Sequence, residues 1–437
     1  MTGRLGSGAA PAGPVVAGLR VVIDVRPLQE PGRAPTTASY LRELLGAYAA
    51  DPLAGESFAI VLQAGLPDPG EVAGLADLPI ASRRALPPTS LLGSGSLTVD
   101  PFLLRSASVG TAWHAERDGA AGTVYHTAGG AVPLASAVPV VVTLLDLAPW
   151  ELPSVYQASV AARFGQRLRA RLLRDAAAVI VGSTATAGAV RRLLHVRRDR
   201  IRIVALAAGA AFRPEAASGA AVEAALLGIP GRYLVYPGRY DARQDLGTLL
   251  RALATLAAGT DGTRERAGSG ERAASTGRAD DSWPPRLVLV GASPADRAAL
   301  ARAAAREGVG ELLAYAPYAS DERLAALVAG ARAVVLPTLS DAAGLAAIEA
   351  TAAGVPVVAS AVGALPEIAA GVGILVEPRE PGRLAAALAT AWSDDAVHDR
   401  LAAAARARSI AAPRTWRDVA RETRAVYASV VRTRLDV

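Results

Sequence analysis

The sequence predicts an α/β protein built from two doubly wound domains that face each other across a cleft. Three observations carry this. The chain has 437 residues, which suits two domains of roughly 200 residues each. Short β-branched runs alternate along it with stretches of helical spacing, the pattern of parallel sheets covered by helices on both faces. That alternation comes as two series, parted by an Ala-, Gly- and Pro-rich stretch from Ala208 to Gly231. A composition of 51% hydrophobic and 20% charged residues supplies the cores that such domains need and excludes disordered and collagen-like classes.

In chain order, residues 1–18 (MTGRLGSGAAPAGPVVAG) lack a continuous apolar segment. They are expected to be a disordered leader and not a signal peptide, and a cytoplasmic location follows. Residues 19–210 form the first domain. LRVVIDV (Leu19–Val25) predicts its first strand and YLRELLGAYAA (Tyr40–Ala50) its first helix. Further strands are expected at Phe58–Leu62, Thr123–His126, Val138–Leu144 and Ala178–Gly182, with a helix over Val160–Asp175. Residues 211–230 are expected to be linker. The second domain, residues 231–415, opens with YLVY (Tyr233–Tyr236) and continues through strands at Leu287–Gly291, Leu312–Tyr315, Ala333–Pro337 and Val355–Ala359. Within it, residues 259–285 hold almost no large apolar side chain, so a disordered insertion is expected. Residues 416–437 form a last helix. In such a pair of domains the carboxyl ends of both sheets face the cleft, which puts the functional residues in loops that follow strands.

Composition narrows the chemistry. The absence of cysteine excludes disulfide scaffolds, thiol nucleophiles and thiolate metal sites. With four histidines, no metal centre or other cofactor is called for. The net charge is +6, and every one of the 46 Lys and Arg residues is arginine. In residues 259–285 the arginines are interleaved with acids and have no aromatic stacking platform, so nucleic-acid binding is not expected. The longest apolar run, Ala137–Trp150, is broken by Asp146 and falls short of the roughly 18 residues of a membrane span. RFGQRLRARLLR (Arg163–Arg174) and RRLLHVRRDRIR (Arg191–Arg202) have two readings: a solvated basic face, or a peripheral contact with an anionic membrane surface made by an amphipathic helix.

The most informative segment is PTLSDAAGLAAIEATAAGVPVVAS (Pro337–Ser360), read as loop, helix, Gly-Val-Pro turn and strand. Asp341 falls in the loop, and Glu349 in a helix that starts near Gly344. Both can face one ligand at the helix N-terminus, where free N–H groups and the dipole favour a phosphate and a neighbouring carboxylate suits sugar hydroxyls. The same spacing also fits Asp341 as a helix cap with Glu349 in solvent.

With these segments quoted, the chain resembles the retaining glycosyltransferases of family 4 (glycosyltransferase group 1), whose GT-B fold joins two Rossmann-like domains across a cleft. The Asp341/Glu349 pair resembles the family's paired glutamates. VVIDVRPLQ with YLRELL is similar to its first strand and helix, VYHT and VVVTLLDLAPWELP to middle strands of its first domain, and AAAVIVGSTATAGAVRRLL to that domain's last strand and helix. YLVYPGRYDARQDLGTLLRAL resembles the first strand and donor-phosphate loop of the second domain, and ALPEI with GILVEP its closing strands. TWRDVARETRAVY resembles the final helix that crosses back to the first domain. The resemblance spans about Leu19 to Val430, apart from the insertion. It implies transfer of a sugar from a nucleotide-diphosphate sugar, a co-substrate and not a cofactor, to a glycan or lipid acceptor with retention. It also implies Arg239 on the diphosphate, Gly344, Leu345 and Glu349 in the donor site with Glu349 on the ribose, and Asp341 and Asp146 at the reacting sugar.

Several positions depart from the family pattern. Gln244 stands where the family has a lysine that neutralises the departing diphosphate, and Arg243 beside it is a candidate substitute. Leu145 stands where the family has a histidine, next to the matching Asp146. Pro35–Ser39 (PTTAS) replace a glycine-rich loop, and Ala342-Ala343 replace Gly-Phe. His126 ends a strand and is either an acceptor-side residue or a satisfied strand-end histidine. Three readings of function follow: a sugar transferase; a catalytically silent GT-B protein acting as a partner or scaffold for another protein; and a non-transferring enzyme such as an epimerase, using His126 and Asp146. An open cleft with Arg243 at the phosphate site favours the first, and a filled cleft the second.

Overall fold

The computed structural model describes residues 18–71, 75–89, 96, 98–105, 122–129, 131–229, 231–266, 283–318 and 320–435. Residues 1–17 of the expected leader and residues 267–282 of the expected insertion lie outside the described residues. The first domain is a seven-stranded parallel sheet made of β1 (Leu19–Asp24), β2 (Ser57–Gln63), β3 (Ile80–Leu86), β4 (Gly122–Ala128), β5 (Val140–Thr143), β6 (Ala178–Val181) and β7 (Ile201–Ile203), in the order β3-β2-β1-β4-β5-β6-β7. The second contains β8 (Leu234–Tyr236), β9 (Leu287–Val290), β10 (Leu313–Ala316), β11 (Ala333–Leu336), β12 (Val357–Ser360) and β13 (Gly373–Val376), in the order β10-β9-β8-β11-β12-β13. Central strands such as VVVT of β5 and AVVL of β11 are buried along their whole length, which is why they read as continuous apolar runs. In each sheet the order reverses beside the first strand, between β1 and β4 and between β8 and β11. These switch points open a crevice at the strands' carboxyl ends.

Several sequence expectations are corrected. Strands β3 and β7 were not expected from apolar runs. Both are edge strands: β3 (IASRRAL) carries exposed arginines and β7 has three residues, as edges do when they are protected from further pairing. The stretch Arg191–Arg202 is not one helix. The Thr184–Leu194 helix ends at His195 in the left-handed region (φ 56°), and β7 follows. Pro35–Ser39 are not a loop but the first turn of the Pro35–Ala50 helix, with Pro35 at its first position. The Leu246–Arg266 helix runs through the first eight residues of the expected insertion. The expected linker is structured as well: the Ala220–Leu226 helix packs on the Asp321–Ala329 helix of the second domain, where Arg323 grips Glu223 at 2.7 Å.

The final helix, Trp416–Leu435, returns to the first domain and packs on the Pro35–Ala50 helix and β4. Arg424, buried on this helix, donates to both oxygens of buried Glu56 at 2.9 and 2.6 Å, and its guanidinium lies 4.6 Å from the Tyr48 ring centroid. Tyr427 meets His126 at 2.6 Å and Tyr48 at 3.2 Å. No helix among the described residues is long and apolar enough to cross a membrane.

Candidate functional site

The turn after β8 brings the first cation to the crevice. Gly238 (φ 108°) and Arg239 (φ 72°) both adopt left-handed backbone, a conformation that costs a non-glycine residue on the order of 1 kcal/mol or more. The Arg239 carbonyl accepts from the Tyr236 hydroxyl, which holds the turn in place. Farther along the loop, the Arg243 guanidinium reaches across to the first domain. Its Nη1 lies 2.7 Å from Oδ1 of Asp146, and its Nε donates at 3.0 Å to each oxygen of Asp241. Burial works against its charge, but these two carboxylates raise its pKa above the ordinary arginine value. Gln244 pairs through its backbone with Thr338 in an isolated bridge, which ties the loop after β8 to the loop after β11.

The loop after β11 carries Asp341. Its Oδ1 accepts from the backbone N–H groups of Ala343 at 3.1 Å and Gly344 at 2.7 Å, which fixes the turn that leads into the Leu345–Ala352 helix without capping the helix itself. Burial pushes the Asp341 carboxyl up, while the Gly344 N–H, Arg239, the Ala343 N–H and Arg243 pull it down. Both arginines therefore act on the same carboxylate. Gly344 has φ 64°, and a Cβ there would lie 2.1 Å from Cδ1 of Ile368. A Cβ on Gly363 would lie 1.9 Å from the Asp341 carbonyl oxygen. Only glycine lets these two loops approach so closely.

The facing surface of the first domain closes on this loop. Arg239 donates to Thr36 in the first turn of the Pro35–Ala50 helix, and Ser340 donates to Glu151. The Thr186 hydroxyl donates to the Ala342 carbonyl at 2.9 Å, and Arg42 pairs with Asp321 at 2.7 Å. Glu367 accepts from the N–H groups of Thr184 and Ala185 at 3.2 and 3.0 Å, so a carboxylate of one domain caps a helix of the other. Ala342 and Ala343 are each 4% exposed and pack into the two cores of the first domain. Leu145, also 4% exposed, belongs to the same core as Ala343, and Leu345 is buried. Small and apolar side chains thus pack where the domains meet.

Two predicted residues lie apart from this centre. Glu349 is half-buried, and its charged neighbours are Asp321, Glu43 and Arg42. Burial, then Asp321 and Glu43, push its carboxyl up to about 8. His126, read as either an acceptor-side residue or a satisfied strand-end histidine, is fully buried with both ring nitrogens partnered. Its Nε2 lies 2.9 Å from the Thr143 hydroxyl and its Nδ1 2.6 Å from the Tyr427 hydroxyl. Burial lowers its pKa to about 3, which keeps the ring neutral. Residues that sequence reasoning missed are Thr36, Glu151, Glu367, Arg42 and Asp321. Each acts on the opposite domain, and no local pattern marks such a contact.

Residues 229–408 match the family model of the glycosyl transferases group 1. No curated protein matches the chain in sequence. Among solved structures, sucrose-phosphate synthase from Thermosynechococcus elongatus is similar over 95% of this chain and 100% of its own, with a TM-score of 0.68 and 22% identity. HepE of Anabaena, solved with UDP-glucose, covers 96% of this chain and 100% of its own at a TM-score of 0.63 and 16% identity. WaaG, a glycosyltransferase involved in lipopolysaccharide biosynthesis, covers 94% and 99% at 0.64 and 14%. The likeness is one of fold: the chain has the GT-B architecture of these glycosyltransferases.

Proposed function

We propose that the chain takes a nucleotide-diphosphate sugar between its domains and transfers the sugar to a glycan or lipid acceptor with retention. The observation that carries this is that the loop after β8, with Arg239 and Arg243, is tied to the loop after β11, with Asp341: the Leu339 N–H donates to the Arg243 carbonyl at 2.7 Å and Gln244 bridges Thr338, beside the β8/β11 switch point. When the bond from the sugar carbon to the diphosphate breaks, negative charge collects on the departing oxygen, and two guanidiniums stabilise it most in a dry site. Arg243 supplies the second cation that Gln244 lacks. The Arg239–Thr36 and Arg243–Asp146 contacts must part for the donor to enter, so the state described here is closed. The resemblance supports retention and the role of Glu349 on the ribose.

A lipid acceptor would be met at an anionic surface. On the Val160–Asp175 helix, Val160 and Phe164 are 74% and 57% exposed beside exposed Arg163, Arg167 and Arg171. Salt-sensitive binding to anionic liposomes, reduced in Phe164→Ser, is expected, and equal binding to neutral liposomes would contradict it.

The closed cleft favours a second reading, a silent GT-B protein that works through partners. Ala342, Ala343 and Leu145 fill the space between the domains, and Arg243 already has two carboxylates. Turnover separates the two readings. Incubation with UDP-, GDP- and ADP-sugars and a mixture of sugar and lipid acceptors should release nucleoside diphosphate in step with new glycoside. Donor binding without any release would establish the silent reading.

A further inference from the structure

A cavity of about 980 Å³ lies where the chain crosses between the domains. One wall is the segment from Leu206, packed in the first domain, to Phe212, packed in the second. The other is the return crossing from Ala412 to Arg417. The cavity does not belong to the donor site, since Arg239, Arg243, Asp341, Gly344, Glu349 and Leu145 do not line it. Its size is at the upper end of small-molecule pockets.

The walls combine an apolar body with a cationic rim. Ala47, Leu206, Phe212, Ile348, Ile368 and Trp416 supply apolar surface. Gly46, on the cavity-facing side of the Pro35–Ala50 helix, leaves open space, with nothing within 4 Å of where its Cβ would stand. Arg42, Arg408, Arg414 and Arg417 stand around this surface. Arg42 and Arg414 are neutralised by Asp321 and Glu422. Arg408 donates only to the carbonyls of Ile368 and Ala370, which leave its charge uncompensated, and exposed Arg417 has no hydrogen bond or ion pair among the described residues. Of the two lining carboxylates, Glu367 is held by the N–H groups of Thr184 and Ala185. Glu43 is pushed up by burial and then by Asp321, against the pull of Arg42. Arg408 and Arg417 are thus the two lining cations with no carboxylate partner among the described residues.

We propose that this hinge cavity binds an amphipathic anion, an apolar body carrying one acidic head, with the body between Gly46 and Trp416 and the head at Arg408 and Arg417. A ligand there touches both crossings and the Leu345–Ala352 helix through Ile348, Thr351 and Ala352, so it couples to the relative position of the domains. The inference does not rest on sugar transfer and survives if that reading fails.

Decyl phosphate, decanol and inorganic phosphate, each below any micelle concentration, are titrated into the full chain by calorimetry. Decyl phosphate is expected to bind at one site per chain, about tenfold more tightly than decanol, as a charge-assisted contact implies. Inorganic phosphate should give no saturable heat. Gly46→Leu sets its Cβ in open space at the cavity wall and suits a helix better than glycine, so it should fold and bind about tenfold more weakly as its side chain takes the apolar space. Arg417→Ser, on an exposed residue, should weaken decyl phosphate by about threefold or more and leave decanol unchanged. Equal binding of decyl phosphate to wild type and Gly46→Leu, decanol as tight as decyl phosphate, or no saturable binding would each overturn the proposal.

Discussion

The His126 cluster under the final helix and the Arg239–Arg243 cluster at the cleft are both polar groups at the ends of parallel strands, but they differ in what remains to be satisfied. Around His126, each ring nitrogen has a hydroxyl partner, Tyr40 and Tyr48 extend the chain through Thr143 and Tyr427, and Arg424 with Glu56 forms a two-bond ion pair nearby. Every one of those groups belongs to the same domain or to the helix docked on it. At the cleft the partners sit on opposite domains: Arg239 on Thr36 and Arg243 on Asp146. A polar network sealed within one body contributes to stability and uniqueness. Charges paired across a surface that can part are available to a ligand.

If that contrast holds, substitutions in the two clusters should separate cleanly, and the largest effect should come from the sealed one. Arg424→Ala strands Glu56 as a buried charge and should cost about 3–5 kcal/mol in urea unfolding, while folded protein keeps its affinity for a donor nucleotide. A loss below about 1 kcal/mol would break the comparison, because it would mean that the pair is effectively solvated. Arg239→Ala should do the reverse. Sugar transfer should fall about 10²–10³-fold, the usual consequence of removing one charge stabiliser from a dry site, with the unfolding midpoint nearly unchanged.

Tyr427→Phe sharpens the comparison at a smaller scale. It leaves Nδ1 of His126 buried without its partner and should cost about 1–3 kcal/mol in the same unfolding assay. Donor titration of the variant should match wild type, and a weakened titration would show that His126 communicates with the cleft after all. A pH-dependent contrast concerns Glu349, whose carboxyl is pushed up by burial to about 8 in the folded state from an ordinary value of 4.5. Across that window the folded state holds a proton that the unfolded state has lost. The stability linked to this proton is fully present below about pH 4.5 and is lost as pH rises through about 8. Glu349→Gln should therefore match wild type near the acid end and melt at a higher temperature than wild type at pH 9. Parallel melting curves at both ends would remove the burial argument for this residue.

Much of the fold was legible because buried parallel strands must be apolar on both faces, so VVVT and AVVL mark themselves. The two edge strands escaped for the opposite reason. They are half solvated, and their arginines look like loop. The start of the first helix escaped because apolar residues at helical spacing begin only at Tyr40 and the resemblance put Pro35–Ser39 in a loop, although proline is well placed in a first helical turn. Sequence reading singled out Arg239, Asp341 and Gly344, which lie in the loops after β8 and β11, and Glu349, which lies apart from them, by position in a pattern. It did not give the direction of Arg243, the Glu367 cap on the Thr184–Leu194 helix, or the packing of Ala342 and Ala343 into the first domain. Those depend on how two separately folded domains meet, and one-dimensional spacing carries no information about that contact. His126 shows the converse, since a reactive residue type at a promising strand end is fully consumed by a helix 301 residues away in sequence.

The central claim is that Arg239, Arg243 and Asp341 form the seat of a diphosphate. Its most direct test is a calorimetric titration of the full chain with UDP, GDP and ADP and their common sugar conjugates, repeated with Arg239→Ala and Arg243→Ala. One nucleotide should bind with micromolar affinity in wild type and at least about tenfold more weakly in each variant, as loss of a charge-assisted phosphate contact implies. Absence of binding by every nucleotide at millimolar concentration would contradict the claim and leave the convergence of those residues as a clasp between the domains.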